Sequence, residues 1–334
     1  MHQYDLYGIG AALLDTEIEV TDSDLASLGV DKGVMTLVDD VRQQQLVDDL
    51  RNHMVTASHA CGGSGANTII AASYFGLDTF YSCKVADDDN GDFYRDNLAA
   101  AGVDYPKALH NADAGTTGKC LVLITPDAER SMNTYLGISA ELSVEELDSE
   151  ALSQSRWTYL EGYLVSSPTG RAAAIALRKQ AEASGVKTAL SLSDPMMVQL
   201  FHDGLKEMIG DSVDLLFCNR DEALKFCDTD SIDQAAKALR NHCRAFAITL
   251  GADGALLWDG EQEYRVAAPK VKAIDTNGAG DMFAGAFLYG INREMSFVEA
   301  GELACRAAAQ VVSQYGPRLR PEQHKELLAQ TANA

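Results

Sequence analysis

The sequence is short of positive charge. Its 334 residues include 27 Lys and Arg against 49 Asp and Glu, which gives a formal net charge of −22. A protein that binds nucleic acid needs a surplus of cations on the face that contacts the phosphates. The charge balance therefore argues against nucleic acid as a partner.

The sequence also lacks long apolar runs and paired cysteines. No stretch approaches the roughly 18 apolar residues of a membrane span, and the start, MHQYDLYGIGAALLD, has no basic segment followed by a long apolar one. The seven cysteines are scattered without a C-x-x-C pair, which favours free thiols in a reducing compartment over disulfides or a thiolate metal site. These absences predict a cytoplasmic protein with no membrane partner.

The composition, 46% hydrophobic and 23% charged, is typical of a folded globular chain. Short β-branched or aromatic runs alternate with segments of helical spacing such as 171–184 and 231–242. The strand-like runs are 4–9, 79–85, 157–161, 186–192, 213–218 and 245–250. Strands that alternate with helices indicate parallel pairing, so the sequence predicts an α/β fold with a doubly wound, mostly parallel sheet flanked by helices.

Two stretches, about 15–40 and 103–136, break this rhythm. They contain period-2 patterns, such as the run from Lys119 to Ile124, without an adjoining long helix. We expect them to pair as a small separate sheet. The acidic run Asp87-Asp88-Asp89 lies between the two and is interpreted as a solvated loop, since Ala86 stands where an EF-hand would need its first carboxylate.

Three familiar glycine motifs are incomplete. Gly8-Ile9-Gly10 lacks the third glycine of a dinucleotide fingerprint, because Leu13 stands there. The segment 113–120 resembles a phosphate loop, but its lysine is followed by Cys120 and not by Ser or Thr. Ser64 lies among glycines, yet Ala66 stands where an esterase elbow has glycine. A nicotinamide oxidoreductase and an esterase are therefore disfavoured.

The most informative segment is Asp275-Thr-Asn-Gly-Ala-Gly-Asp281, which leads into a stretch with helical spacing. Glycines at 278 and 280 let the backbone approach a ligand closely, and the free N–H groups of a first helical turn favour an anion. Phosphate is the natural ligand. Asp281 would lie beside it, where a carboxylate is unfavourable unless it takes part in a reaction or caps the helix.

A second glycine-rich turn, Gly62-Gly-Ser-Gly-Ala-Asn67, occurs about 210 residues earlier. Together with DTNGAGD, it resembles the two signatures of the ribokinase-like (phosphofructokinase B) family of carbohydrate and nucleoside kinases. An N-x-x-E element at 219–222 and a T-x-G-x-x-G element at 249–254 complete the family order. The resemblance spans nearly the whole chain and implies one domain, 1–334, with the segments 15–40 and 103–136 as a β-sheet lid.

The resemblance implies a role for each matching residue in ATP-dependent phosphoryl transfer. Asp281 is similar to the general base, Gly278, Ala279 and Gly280 to the anion hole, and Arg130 to the arginine that moves onto the transferred phosphate. Glu222 is similar to the acid that holds Mg²⁺, through water. The expected acceptor-binding residues are Asp15, Gly62, Gly63 and Asn67, and the expected nucleotide-binding residues are Asn219, Thr249, Gly251, Gly254 and Asn277. Each side chain also has a plain alternative as a helix cap, a turn residue or an exposed loop residue.

The acceptor is suggested by few residues. Sugar kinases of this family usually carry N-x-D after the first strand, whereas Leu13-Leu14-Asp15 and Asn277 resemble the adenosine kinases. The resemblance therefore favours adenosine, with ribose or fructose as the alternative. A non-catalytic nucleotide-binding protein is a further alternative. Asn277 replaces the more common threonine, which puts a potassium site near Asp275 in doubt. The sequence also leaves open whether the protein is a monomer or a homodimer. It does not decide between ATP and GTP as the phosphoryl donor.

Overall fold

Two β-sheets organise the chain in the computed structural model, which describes residues 2–51, 58–106 and 115–331. Within these residues, nine strands form a large sheet and five form a small one. The large sheet runs, from edge to edge, through β14 (Glu263–Val266), β13 (Ala255–Trp258), β12 (Cys243–Thr249), β11 (Val213–Asn219), β10 (Lys187–Ser191), β9 (Ser155–Glu161), β1 (Tyr4–Ile9), β5 (Thr79–Ser82) and β6 (Val103–Asp104). Its strands pair in parallel except at β13 and β14, which pair antiparallel.

The central strands are apolar because both of their faces are buried. In β11, Leu215 and Phe217 belong to the core on one face of the sheet, and Leu216 and Cys218 to the core on the other. A strand covered on both sides needs a continuous apolar run and not an alternating one. The predicted doubly wound α/β sheet is confirmed.

Helices cover both faces of the large sheet. One face carries α3 (Ser64–Phe75), α4 (Asp89–Ala100), α10 (Ala279–Asn292), α11 (Phe297–Val311) and α12 (Pro321–Thr331). The other carries α5 (Ser149–Ser153), α6 (Pro168–Ser184), α7 (Pro195–Ile209), α8 (Arg220–Phe226) and α9 (Ile232–Leu239). None of the helices among the described residues has both the length and the apolar character that a bilayer crossing requires.

The small sheet has an inner and an outer face. Its strands run in the order β3 (Met35–Leu37), β8 (Arg130–Tyr135), β7 (Gly118–Ile124), β2 (Leu13–Glu19) and β4 (Ser58–Gly62). Leu121 and Leu123 of β7 point outward and pack on α1 (Asp22–Leu28) and α2 (Asp40–Asp49). Cys120, Val122 and Ile124 point to the inner face. The period-2 pattern thus separates two surfaces, as alternation in a strand requires.

The segments predicted for the small sheet supply four of its strands, and the structure adds two differences. Ser58–Gly62, outside the predicted ranges, forms β4 along its edge, whereas Val103–Asp104, inside them, pairs with β5 in the large sheet. Residues 107–114 of the predicted range lie outside the described residues. The sequence Ser-His-Ala-Cys-Gly carries no β-branched or large aromatic side chain, so β4 has no strand signal of its own.

The interpretation of the acidic run as a solvated loop is wrong for Asp88. Its carboxylate caps α4 by accepting from the N–H of Gly91 at 2.8 Å, and it also accepts from the N–H and the hydroxyl of Thr117 at 2.9 and 2.5 Å. Partial burial would raise the pKa of Asp88, but the hydrogen bonds from Thr117 and Gly91 lower it below its ordinary value. Asp88 therefore fastens β7 to the start of α4.

We predict that Asp88→Ala lowers the free energy of unfolding by about 1 to 2 kcal/mol, because a helix cap and two further hydrogen bonds are lost. Asp87→Ala, at the exposed neighbour, is the matched control and should change it by less than about 0.5 kcal/mol. The measurement is denaturant unfolding. The difference from wild type should shrink as the pH falls below about 4, since protonation removes the contribution of an acid whose folded pKa is lowered. Equal loss in both variants would contradict this assignment.

Candidate active site

A cavity of about 890 Å³ lies between the two sheets. Its floor includes the last residues of four parallel strands, Glu161, Ser191, Asn219 and Thr249. Its roof is the inner face of the small sheet, including Leu13, Asp15, Met35, Cys120, Arg130, Met132 and Thr134. Ligands of open parallel sheets bind at the carboxyl ends of the strands, so this position marks the cavity as the candidate site.

The turn that precedes α10 is held from beneath by Asp275. This side chain is fully buried, and its two oxygens accept from the N–H groups of Asn277 at 2.8 Å and Gly316 at 3.0 Å. Gly278 caps α10 with φ +73°, and a Cβ there would lie 2.2 Å from the carbonyl oxygen of Pro317. Position 278 therefore requires glycine for the fold itself.

Gly280 serves a different purpose. A Cβ at this position would meet no heavy atom of the described residues within 4 Å, and Gly280 lines the cavity. The N–H groups of a first helical turn have no partner within the helix, and the helix dipole favours an anion there. The N–H of Ala279 donates instead to the Thr276 carbonyl at 3.3 Å. Gly280 thus leaves room for a ligand at the positive end of α10.

Asp281, the third residue of α10, faces the first turn of α3. The hydroxyl of Ser64 donates to Oδ1 at 2.6 Å, and Nδ2 of Asn67 donates to Oδ2 at 3.1 Å. Burial raises the pKa of Asp281, while these two hydrogen bonds and the charges of Arg130 and Arg318 oppose the rise. The carboxylate is half-buried and lines the cavity, so it can receive a proton from a bound ligand.

Two neighbouring glycines allow close packing at the same end of the cavity, one of them against Asp15. A Cβ on Gly62 would lie 2.1 Å from the Asp15 carboxyl carbon, and Gly63 has φ +89° with its Cβ position 2.3 Å from the Ala11 carbonyl oxygen. Asp15 is 6% exposed, and its burial together with the charge of Glu17 raises its pKa to about 8. The predicted acceptor residues Asp15, Gly63 and Asn67 line the cavity, whereas Gly62 makes room for Asp15 from behind.

The roof above Asp15 is largely apolar. Leu13, Met35, Leu37, Met132 and Leu136 line this part of the cavity. Aliphatic and thioether side chains bury a flat apolar group and give no hydrogen bonds to a group rich in hydroxyls. This end of the cavity, where the sequence predicts the acceptor, therefore combines one buried acid with a broad apolar wall.

The N-x-x-E element forms a capping box at the start of α8. Oδ1 of Asn219 accepts from the N–H of Glu222 at 2.9 Å, and the Glu222 oxygens accept from the N–H and Nδ2 of Asn219 at 3.0 and 2.6 Å. Glu222 is 4% exposed but lines the cavity, and its burial, with the charge of Asp194, raises its pKa to about 8. Asn219 and Glu222 therefore do cap the helix, as the plain alternative supposed. The same contact keeps the Glu222 carboxyl group at the cavity wall.

The other predicted nucleotide residues lie near the end of β12. Thr249, Gly251 and Gly254 all line the cavity. Gly251 and Gly254 have φ of +62° and +92°, and a Cβ on Gly254 would lie 1.9 Å from the Val266 carbonyl oxygen. The turn thus needs glycine at 254 for close packing and at 251 for its backbone conformation.

Three hydrogen bonds fasten the small sheet to the turn before α10. Nη1 of Arg130 donates to the Thr276 carbonyl at 2.9 Å, and the Thr276 hydroxyl donates to the Ala128 carbonyl at 3.2 Å. Nδ2 of Asn277 donates to Glu17 at 3.2 Å. Arg130, expected beside the transferred phosphate, thus lies against the predicted anion hole, and its Nε has no hydrogen-bond partner within the part of the chain described.

Two residues of this site were not expected from the sequence. Ser64 was considered only as an esterase nucleophile, yet it contacts Asp281. Glu161, 1% exposed, accepts from the N–H groups of Ala11 at 2.6 Å and Gly65 at 2.9 Å. The sequence could have indicated Glu161, because it is an acidic residue at the carboxyl end of a predicted parallel strand, where such sheets bind ligands.

The described residues could hold Mg²⁺ through Glu222, but they do not form a complete set of protein ligands around a metal ion. Among residues 2–51, 58–106 and 115–331, no group of three or more His, Cys, Asp or Glu side chains is arranged to hold a metal. Mg²⁺ keeps several waters and is bound by one or two carboxylates together with substrate phosphates. A single carboxyl group at the cavity wall is consistent with that mode.

Comparison with known proteins agrees with this geometry. The family model for pfkB family carbohydrate kinases matches residues 29–324. Aminoimidazole riboside kinase of Salmonella typhimurium is 32% identical over 238 residues, which cover 70% of this chain and 74% of the relative.

Two solved structures are similar over almost the whole chain. A probable sugar kinase from Rhizobium etli has a TM-score of 0.92 and 31% identity and covers 99% of this chain and 100% of its own. Adenosine kinase from Sinorhizobium meliloti has a TM-score of 0.91 and 34% identity and covers 99% of each chain.

The two glycines of the turn should respond differently to substitution. Gly280→Val should keep the wild-type melting temperature within a few degrees and lose at least tenfold in affinity for ATP, because its side chain fills the space before α10. Gly278→Ala should lower the free energy of unfolding by about 2 kcal/mol or more, because its Cβ collides with Pro317. Calorimetric titration measures the affinity of each variant for ATP, and thermal unfolding measures its stability. Wild-type ATP affinity in Gly280→Val would contradict the phosphate assignment.

Proposed function

Because this chain belongs to the pfkB family of carbohydrate kinases, we propose that it transfers the γ-phosphoryl group of ATP to the 5′-hydroxyl of adenosine, giving AMP and ADP. The observation that carries the proposal is the position of Asp281. Its carboxylate lies one residue from the open helix N-terminus at Gly280 and faces the acceptor end of the cavity. The chain is a nucleoside or sugar kinase, and adenosine is the proposed acceptor.

In the proposed reaction, the carboxylate of Asp281 accepts the proton of the acceptor hydroxyl as its oxygen attacks the γ-phosphorus. The N–H groups at the start of α10, with Gly280 leaving the space, stabilise the charge on the transferred group. Arg130, already at this turn through the Thr276 carbonyl, neutralises the same group. Asn219, Thr249, Gly251, Gly254 and Asn277 are proposed to contact the nucleotide.

The acceptor end supports a nucleoside. Asp15 receives no hydrogen bond from the described residues, so its carboxyl group is available to the two hydroxyls of a ribose. The apolar wall of Leu13, Met35 and Met132 then suits a base that a free sugar lacks. Ribose or fructose is the alternative, because Glu161 adds a second carboxylate at this end and the Rhizobium etli relative is a probable sugar kinase.

Magnesium would be held by Glu222, through water, and would supply charge neutralisation at the phosphates of ATP. Potassium beside Asp275 remains a separate hypothesis. Both oxygens of that carboxylate already accept backbone N–H groups, and the side chain is fully buried. A potassium site there would have to share the carboxylate with this turn.

We also propose that the small sheet acts as a lid over the acceptor and keeps water from the phosphoryl group. The inner face of the sheet roofs the cavity, and its outer face is already covered by α1 and α2. A covered outer face supports a monomer over a dimer formed through that face. The seven free cysteines support a reducing, cytoplasmic location.

The acceptor is tested by ADP release with Mg·ATP across adenosine, aminoimidazole riboside, inosine, guanosine, ribose and fructose. We expect the highest kcat/KM with adenosine, and at least tenfold less with the free sugars, because they leave the apolar wall empty. Preference for ribose or fructose would establish the alternative. No turnover with any acceptor would contradict the proposal.

The base is tested by Asp281→Asn. This variant should lower kcat by roughly 10² to 10⁴ with ATP affinity nearly unchanged, because an amide cannot accept the proton but keeps the shape of the carboxylate. Asp233→Asn, at an exposed acid that pairs with Arg265, is the matched control and should keep wild-type turnover. Turnover of Asp281→Asn equal to that of the control would remove Asp281 from the mechanism.

A further inference from the structure

The first turn of α3 gives two unequal hydrogen bonds to Asp281. The Ser64 hydroxyl lies 2.6 Å from Oδ1, and Nδ2 of Asn67 lies 3.1 Å from Oδ2. Asn67 is buried, and its own Oδ1 has no hydrogen-bond partner within the part of the chain described. The hydrogen bond from Ser64 is therefore the shorter of the two, and the one from Asn67 comes from a side chain whose own acceptor atom is unused among the described residues.

The backbone that carries Ser64 is fixed by the large sheet. Glu161 accepts from the N–H of Gly65 at 2.9 Å and from the N–H of Ala11 at 2.6 Å. Gly63 approaches Ala11 so closely that a Cβ would lie 2.3 Å from the Ala11 carbonyl oxygen. Since a serine hydroxyl is placed by a single side-chain torsion, a fixed backbone places the Ser64 oxygen as well.

The two donors behave differently when Asp281 takes up a proton. A proton on Oδ2 leaves Oδ1 as a carbonyl oxygen, which still accepts the Ser64 hydroxyl. Nδ2 of Asn67 is only a donor, and Oδ2 becomes a weaker acceptor and a donor when it is protonated, so Oδ1 of Asn67, unpartnered among the described residues, is then the better partner for it. The Ser64 contact therefore suits both protonation states.

We propose that Ser64 is a positioning residue that holds Oδ1 of Asp281 throughout the reaction, so that Oδ2 is the oxygen that takes the proton from the acceptor. The acceptor hydroxyl displaces Nδ2 of Asn67 from Oδ2. The O–H proton then moves to Oδ2, the bond from the acceptor oxygen to the γ-phosphorus forms, and the bond from that phosphorus to the β,γ-bridging oxygen breaks to release ADP. This inference rests on the proposed function.

The direction of the effect follows from charge. Ser64 donates to the carboxylate and so favours its ionised form, and loss of the hydroxyl should raise the pKa of Asp281. The other charged and titratable groups that act on Asp281 are unchanged in a Ser64 variant. They are Asp15, Glu161, Tyr159, Tyr163, Arg130 and Arg318.

The test is the pH dependence of single-turnover phosphoryl transfer with saturating Mg·ATP and adenosine. Ser64→Ala should move the acid limb of the rate upward by about one pH unit, the size expected for one hydrogen bond to a charged group. Ser64→Thr, which keeps the hydroxyl, should restore the wild-type limb. Ser73→Ala, on the same helix but bonded to the Ala101 carbonyl, is the matched control and should leave the limb in place.

A second readout does not need turnover. Infrared difference titration of the Asp281 carboxyl, assigned with Asp281→Asn, should show the same upward shift in substrate-free Ser64→Ala. An unmoved titration and an unmoved acid limb in Ser64→Ala would overturn the role of Ser64, including where the rate falls equally at every pH. Full transfer by Asp281→Asn would instead overturn the proposed function, so the two failures are distinguishable.

Discussion

The structure depends on the burial of carboxylates where the two sheets meet. Asp275, Glu161, Glu222 and Asp281 each accept hydrogen bonds on both oxygens, from backbone N–H groups or short polar side chains. An ionised carboxylate without such donors would be strongly disfavoured in this position. The turns that supply the donors are therefore fixed by the acids that they stabilise, and these same turns line the cavity.

Asp281 illustrates how this arrangement leads to chemistry. It belongs to the first turn of α10 and contacts the first turn of α3, so two helix N-termini converge at one carboxylate. Both dipoles favour negative charge at this point, which would serve the proposed base and an approaching phosphate alike. Burial acts in the opposite direction and raises the pKa. Because burial and hydrogen bonding oppose each other, the pKa of Asp281 is sensitive to each hydrogen bond that its carboxylate accepts.

The sequence predicts most of the fold because its signals are local. Alternation of apolar runs with helical spacing identifies β1, β9, β11 and β12, and the glycine turns before α3 and α10 follow from residues close in the chain. What escapes prediction depends on partners far apart. Ser64 and Asp281 are separated by 217 residues, and β4, whose own side chains give no strand signal, pairs with β2 and places Gly62 against Asp15. Asn219 and Glu222 were assigned by resemblance, with a helix cap as the plain alternative, and the structure shows that they do cap α8.

In the proposed function, the small sheet links recognition of the acceptor to completion of the phosphate site. Strand β2 carries Asp15 at the acceptor end and, two residues later on the same face, Glu17, which accepts from Asn277 in the turn before α10. Strand β8 begins with Arg130, which donates to the carbonyl of Thr276 in that turn. A shift of this sheet away from the cavity would withdraw Asp15 and break both contacts with the turn. In the proposed function, one sheet carries all three side chains, so the acceptor site and the phosphate turn are assembled in the same conformation and phosphoryl transfer is favoured over attack by water.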